Sequence, residues 1–148
     1  MLLATFFFAC QDRSGMVYHK YQSTADSGWA KKDTLKLEAF PTDSACEVTM
    51  TAEVRNNLHY PYSDLYLVIK QNIVDSIHWQ TDTVKFVLAD KLGRWTGIGG
   101  GNYYQSSTYV RTLKLPPHPM HTIIKVSHGM KDNILKGITD VGFRLEYR

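Results

Sequence analysis

The chain has 148 residues, with 17 Lys and Arg against 14 Asp and Glu for a formal net charge of +3. The basic residues are scattered, so no stripe of Lys and Arg exists to follow a phosphate backbone, and nucleic acid is excluded as a partner. Length and an apolar share of 43% are those of one domain able to bury its own core.

The first nine residues, Met-Leu-Leu-Ala-Thr-Phe-Phe-Phe-Ala, are apolar, stop at Cys10 and give way to Gln11-Asp12-Arg13. Small Ala9 before a cysteine is what a lipoprotein signal peptidase cleaves, and the Cys10 thiol and freed amine then carry acyl chains. Residues 1–9 are therefore expected to be a signal peptide and Cys10 the lipidated start of the mature protein. A membrane span would need about 20 apolar residues, roughly twice this run. The polar, weakly patterned stretch 10–32 suits a tether, and 33–148 is the folded domain.

Within that domain apolar residues recur at every second position. Leu35, Leu37 and Ala39 form the first such set. Cys46-Glu-Val-Thr-Met-Thr-Ala-Glu-Val-Arg55 alternates over its whole length, predicting a half-buried strand with Cys46 facing in. Nothing cationic adjoins Cys46 in sequence, so its thiol reads as packing and not as a nucleophile. Since Cys10 is taken by lipid, no disulfide within the chain is expected.

The same period returns at Leu65, Leu67 and Ile69, then at Val84, Phe86 and Leu88. Asp90-Lys-Leu-Gly93 reads as a hairpin tip whose second arm is 94–98. Further strands are predicted over 109–115, around Ile124 and Val126, and from Val141 to Tyr147. Met130 to Lys136 suits one helical turn closed by a left-handed Gly137. No stretch sustains a helical period. About eight strands at this spacing predict an all-β antiparallel sandwich, of jelly-roll or immunoglobulin-like type.

Candidate chemistry is sparse. Of six histidines, His118, His121 and His128 are nearest one another, but His118 lies in a proline-rich loop. His121 and His128 are an odd number apart on one predicted strand, so they would face opposite ways; no metal and no cofactor are expected. Gly97 to Gly101 lacks the Lys-Ser or Lys-Thr of a phosphate loop and reads as a flexible loop between strands or a bulge where another backbone comes close. Gly-x-Ser-x-Gly, Ser-x-x-Lys and His-Glu-x-x-His are absent from the sequence. Carboxylates Asp82, Asp90 and Asp140 could meet in space, though nothing selects them over a solvated surface. Aromatic residues are more suggestive: Trp95, Tyr103 and Tyr104 flank the glycine-rich loop and form the candidate surface for a partner, glycan or peptide.

Several blocks carry a resemblance. Tyr18-His-Lys-Tyr21 with Trp29, Tyr60-Pro-Tyr-Ser-Asp-Leu-Tyr-Leu-Val-Ile69, Thr81-Asp-Thr83, Leu88-Ala-Asp-Lys-Leu-Gly-Arg-Trp-Thr-Gly97 and His128 through Glu146 make the chain resemble the GldH-type gliding-motility lipoproteins of Bacteroidetes. That resemblance implies an envelope lipoprotein without enzymatic activity, anchored by Cys10 in the outer membrane on its periplasmic side. Its implied partners are the other envelope proteins of gliding and type IX secretion. Asp12, close behind the cysteine, keeps surface exposure open as an alternative. The family supplies no catalytic or ligand residues to transfer.

Overall fold

A computed structural model describes residues 15–39, 46–117 and 120–148. Eleven strands are formed among them: β1 Met16–Ser23, β2 Trp29–Ala30, β3 Leu35–Ala39, β4 Glu47–Asn57, β5 Asp64–Gln71, β6 Gln80–Val87, β7 Ile98–Gly100, β8 Tyr103–Lys114, β9 Thr122–His128, β10 Ile134–Leu135 and β11 Ile138–Tyr147. They build a five-stranded sheet in the order β1-β11-β4-β8-β7 and a four-stranded sheet in the order β3-β9-β5-β6, with β10 and β2 as a small extra pair. Every pairing is antiparallel. With the short strands β2, β7 and β10 set aside, the first sheet takes the first, last, third and sixth of the long strands, and the second takes the second, seventh, fourth and fifth. That interleaving is the strand order of a jelly roll, which decides between the two sandwich types the sequence left open.

Alternation explains the core. Val48, Met50, Ala52 and Val54 of β4 face Leu65, Leu67 and Ile69 of β5, with Ile124 and Val126 of β9 and Val141, Phe143 and Leu145 of β11 completing an interior shielded from water. Each fully buried side chain of this size contributes about 1.5–3 kcal/mol relative to exposure. Trp29 seals one margin of the sandwich. Its ring stands edge-on to His128, with centroids 5.3 Å apart, and its Nε1 donates to the Asp33 carbonyl at 2.9 Å.

The margins of the two sheets meet, β1 beside β3 and β6 beside β8. Across the second meeting Arg111 turns inward from β8 and donates to Asp82 Oδ1 at 2.7 Å and Gln80 Oε1 at 2.6 Å, both on β6. The inward turn follows from a bulge: the β4–β8 register skips Val110, pairing Met50 with Arg111 and Thr51 with Tyr109.

Four sequence expectations change. The stretch expected as a tether is already folded from Met16, where β1 pairs along β11; its outer face is polar because it borders solvent, which hid the strand. The 94–98 arm contributes only the Ala89–Trp95 bridge before the chain crosses to the other sheet as β7. In place of the helical turn at 130–136, β10 pairs with β2, held by the buried side chain of Leu135. Cys46 sits just before β4 and is half-buried, not a core residue. The signal peptide, Cys10 and His118 lie outside the described residues.

Candidate functional site

Connectivity defines two ends of the sandwich. At one, Tyr147 N donates to the Gly15 carbonyl where β1 begins, and β4, β6 and β9 also start there. At the other lie the 88–97 hairpin, the glycine-rich β7, the start of β8 and the end of β4. The second end carries the residues singled out from sequence.

The hairpin is built around Asp90. Its Oδ1 accepts from Leu92 N and Arg94 N, both at 2.9 Å, and its Oδ2 takes Arg94 Nε at 2.7 Å. Those backbone and side-chain bonds from Arg94 hold the carboxyl below its ordinary pKa. Leu88 N and Ala89 N both donate to the Ser63 carbonyl, at 2.7 and 3.1 Å, and Thr96 Oγ1 donates to Val87 O at 2.7 Å. So fixed, the tip presents Leu92 with 77% of its surface exposed. Ile98 follows on β7 at 88% exposed.

The glycines are there for backbone proximity, one of the two readings their sequence left open. A side-chain carbon on Gly99, whose φ is +148°, would fall 2.3 Å from the Tyr103 carbonyl, and one on Gly97 would fall 2.8 Å from Gln105 O. This closeness lets β7 lie on β8.

The three candidate aromatics do not form one platform. Tyr103 and Tyr104 are consecutive on β8 and point to opposite faces. Tyr104 turns inward and stacks on Trp95, centroids 5.8 Å apart at 27°, and Trp95 in turn packs against the core. Tyr103 points outward, more than half exposed, between two hollows. The smaller, about 240 Å³, includes Leu58 and His59; the larger, about 510 Å³, is bounded by Asp26, Arg55, Lys136 and Asp140. Three of the four charged groups around the larger hollow are engaged. Arg55 lies 3.9 Å from the centre of the Tyr21 ring, Ser23 Oγ donates to Asp140 at 2.8 Å, and Lys136 donates to the Ser27 carbonyl.

One group was missed by sequence reasoning. Glu53 sits at an outward position of β4, yet its side chain is buried on the outer face of the five-stranded sheet. Gly142 on the next strand leaves room for the Tyr21 ring to lie across the sheet, and the Tyr21 hydroxyl donates to Glu53 Oε2. His19 Nε2 is 2.7 Å from the same oxygen, and Arg144 Nε pairs with Oε1 at 3.4 Å. Burial pushes the carboxyl up, but the bonds from Tyr21 and His19 and the nearby positive charge win, so its pKa is lowered. The only sequence signal was Gly142 opposite a carboxylate, legible once register is known. Asp82, Asp90 and Asp140, the other carboxylates weighed from sequence, lie in three different places. Among the described residues no three metal-ligating side chains converge.

Residues 16–145 match the model of the GldH lipoprotein family. The chain belongs to that family. A gliding motility lipoprotein GldH homolog from Christiangramia forsetii is 29% identical over 138 residues, covering 88% of this chain and 83% of that protein. The gliding motility lipoprotein GldH of Flavobacterium johnsoniae is 26% identical over 153 residues, covering 100% of this chain and 94% of its own. Among solved structures, the infectious bursal disease virus VP2 subviral particle aligns at a TM-score of 0.37 with 11% identity, covering 99% of this chain and 37% of the viral one. The family match begins at Met16, which is also where β1 of the GldH jelly roll begins. Membership in a lipoprotein family associates the protein with the cell envelope.

Proposed function

We propose that this GldH-family protein works in gliding motility as a non-catalytic docking module, held by acyl chains on Cys10 to the periplasmic face of the outer membrane. It engages other envelope proteins of the gliding and type IX secretion apparatus through the end of the jelly roll remote from the anchor. The observation that carries this reading is the placement of Leu92 and Ile98. Two large aliphatic side chains, 77% and 88% exposed, are held out by a hydrogen-bonded hairpin and a glycine-built edge strand. Rigid exposed aliphatic groups lose little entropy on binding, which favours an interface.

The test is a Leu92→Asp and Ile98→Asp double variant in the native host. The expected result is lost colony spreading and lost recovery of motility proteins on a C-terminal tag, with membrane fractionation and melting temperature unchanged. Normal spreading by a stably expressed variant would overturn the assignment of this end. Tyr103, standing between two hollows, supports a second reading as a glycan or peptide contact. Polysaccharide affinity abolished by Tyr103→Ala but not by the Leu92 and Ile98 changes would favour it.

A further inference from the structure

The outer face of the four-stranded sheet holds a row of like charges. Lys36 on β3 is the direct cross-strand partner of Lys125 on β9, and Lys125 is the direct partner of Lys70 on β5. All three point outward, since Leu37, Ile124, Val126 and Ile69 beside them point into the core. Like charges directly opposite each other destabilise a sheet. Among the described residues no carboxylate pairs with any of the three; Glu38 pairs with His121 at 3.7 Å and Asp75 with His78 at 2.5 Å. A hollow of about 190 Å³ opens between Lys70 and Lys125.

Next to this row stands an apolar loop. The Lys125 ammonium lies 4.4 Å from the centre of the Trp79 ring, and Trp79 is 43% exposed, Ile77 73% and Val74 37%. The loop is held in place: Asn72 donates from Nδ2 to Ser76 O at 2.9 Å and accepts from Ile123 N at 2.7 Å, while Asp75 Oδ1 accepts from Ile77 N and His78 N. An aromatic and two aliphatic side chains projecting beside lysines match the apolar and anionic layers of a bilayer surface.

Position supplies the occupant. The loop lies at the end of the jelly roll where β1 begins, and Cys10 precedes Gly15 by five residues, a reach of at most about 18 Å. β1 lies beside β3, and the lysine row runs from β3 across β9 to β5, two spacings of about 4.8 Å. An acylated Cys10 therefore brings this end, and no other, to the lipid. We infer that the corner formed by Lys36, Lys125, Lys70, Trp79 and Ile77 docks on an anionic membrane surface, a second contact that sets the domain's orientation and rests on the anchored reading above.

The test uses the mature chain, residues 10–148, carrying Cys10→Ala, which removes both the apolar signal and the acyl contribution, co-sedimented with vesicles containing phosphatidylglycerol or phosphatidylcholine alone. Binding to the anionic vesicles only, weakened by salt, is expected. Each Lys→Thr change in the row should lower partitioning about fivefold and all three on the order of a hundredfold. The melting temperature of each variant, expected within about 2 °C of wild type, separates lost binding from unfolding. Equal binding to both vesicle types, undiminished binding by the triple variant, or binding only after envelope proteins are added would overturn the inference. Fatty-acid labelling of the Cys10-intact protein reports the anchor separately. Vesicle docking without label would leave this surface standing and remove the anchor.

Discussion

Replacing Glu53 should reveal how much of the domain's stability rests on one buried carboxylate. In Glu53→Ala the Tyr21 hydroxyl, His19 and Arg144 all lose their shared acceptor. Removing one partner of a buried charged network costs about 3–5 kcal/mol. The lower value applies, because His19 and Arg144 side chains are 31% and 30% exposed and can turn toward water. For a domain of this size about 3 kcal/mol lowers the melting temperature by about 10 °C. Glu53→Gln keeps an acceptor for Tyr21 and loses only the charge, so about 1 kcal/mol is expected. The pH dependence has a definite sign. A carboxyl whose folded pKa lies below its unfolded value of 4.5 stabilises fully above 4.5, and that contribution is lost as pH falls through the lowered folded value. Urea denaturation from pH 7 down to pH ~3 should thus show wild type converging on Glu53→Gln below pH 4.5. Two proteins that lose stability in parallel across that window would refute the charged network.

Other substitutions probe the frame around it. Gly137→Ala should cost about 3 kcal/mol or more by denaturant titration, since φ is +84° and an added carbon falls 2.1 Å from Tyr60 N. Trp29→Ala should cost about 3–5 kcal/mol, and its loss should loosen β2 and β10 in amide exchange before the main sheets. Burial, only partly offset by its bond to the Trp29 carbonyl, lowers the His128 pKa. The unfolded chain then takes up the proton first, so stability should fall as pH drops from 6.5 toward the lowered folded value. His128→Phe should flatten that slope in equilibrium unfolding. Cys10→Ala should move the protein from the membrane to the soluble fraction and abolish fatty-acid incorporation, while the anchor reading fails if fractionation is unchanged and the wild type takes up no label.

Strands buried on one face were legible, because Val48 to Val54, Leu65 to Ile69 and Val141 to Leu145 alternate without interruption. β1 was not: its outward residues are His19 and Tyr21, its ends are exposed, and only Tyr18 is buried. The pair β2 and β10 is two residues deep on each side, too short for any period to show. The 90–93 hairpin and the glycine crowding were readable from turn chemistry alone, since both are local. The relation between Trp95, Tyr103 and Tyr104 was not local. It depends on which residue of β8 faces β4, and the skipped Val110 resets that farther along the strand. The lysine row likewise joins three segments distant in sequence and exists only once the register is fixed.

The meeting of β1 with β3 and of β6 with β8 has a bearing on self-association. Open sheet margins are templates on which identical chains polymerise. Here the margins are turned toward each other, β1 toward β3 and β6 toward β8, and β7, the outermost strand beside β8, is only three residues long. Gly99, at φ +148°, takes that strand away from regular extended geometry. Copies crowded side by side on one surface would thus meet sheet margins that face a neighbouring strand of their own chain, which disfavours growth by edge-to-edge pairing.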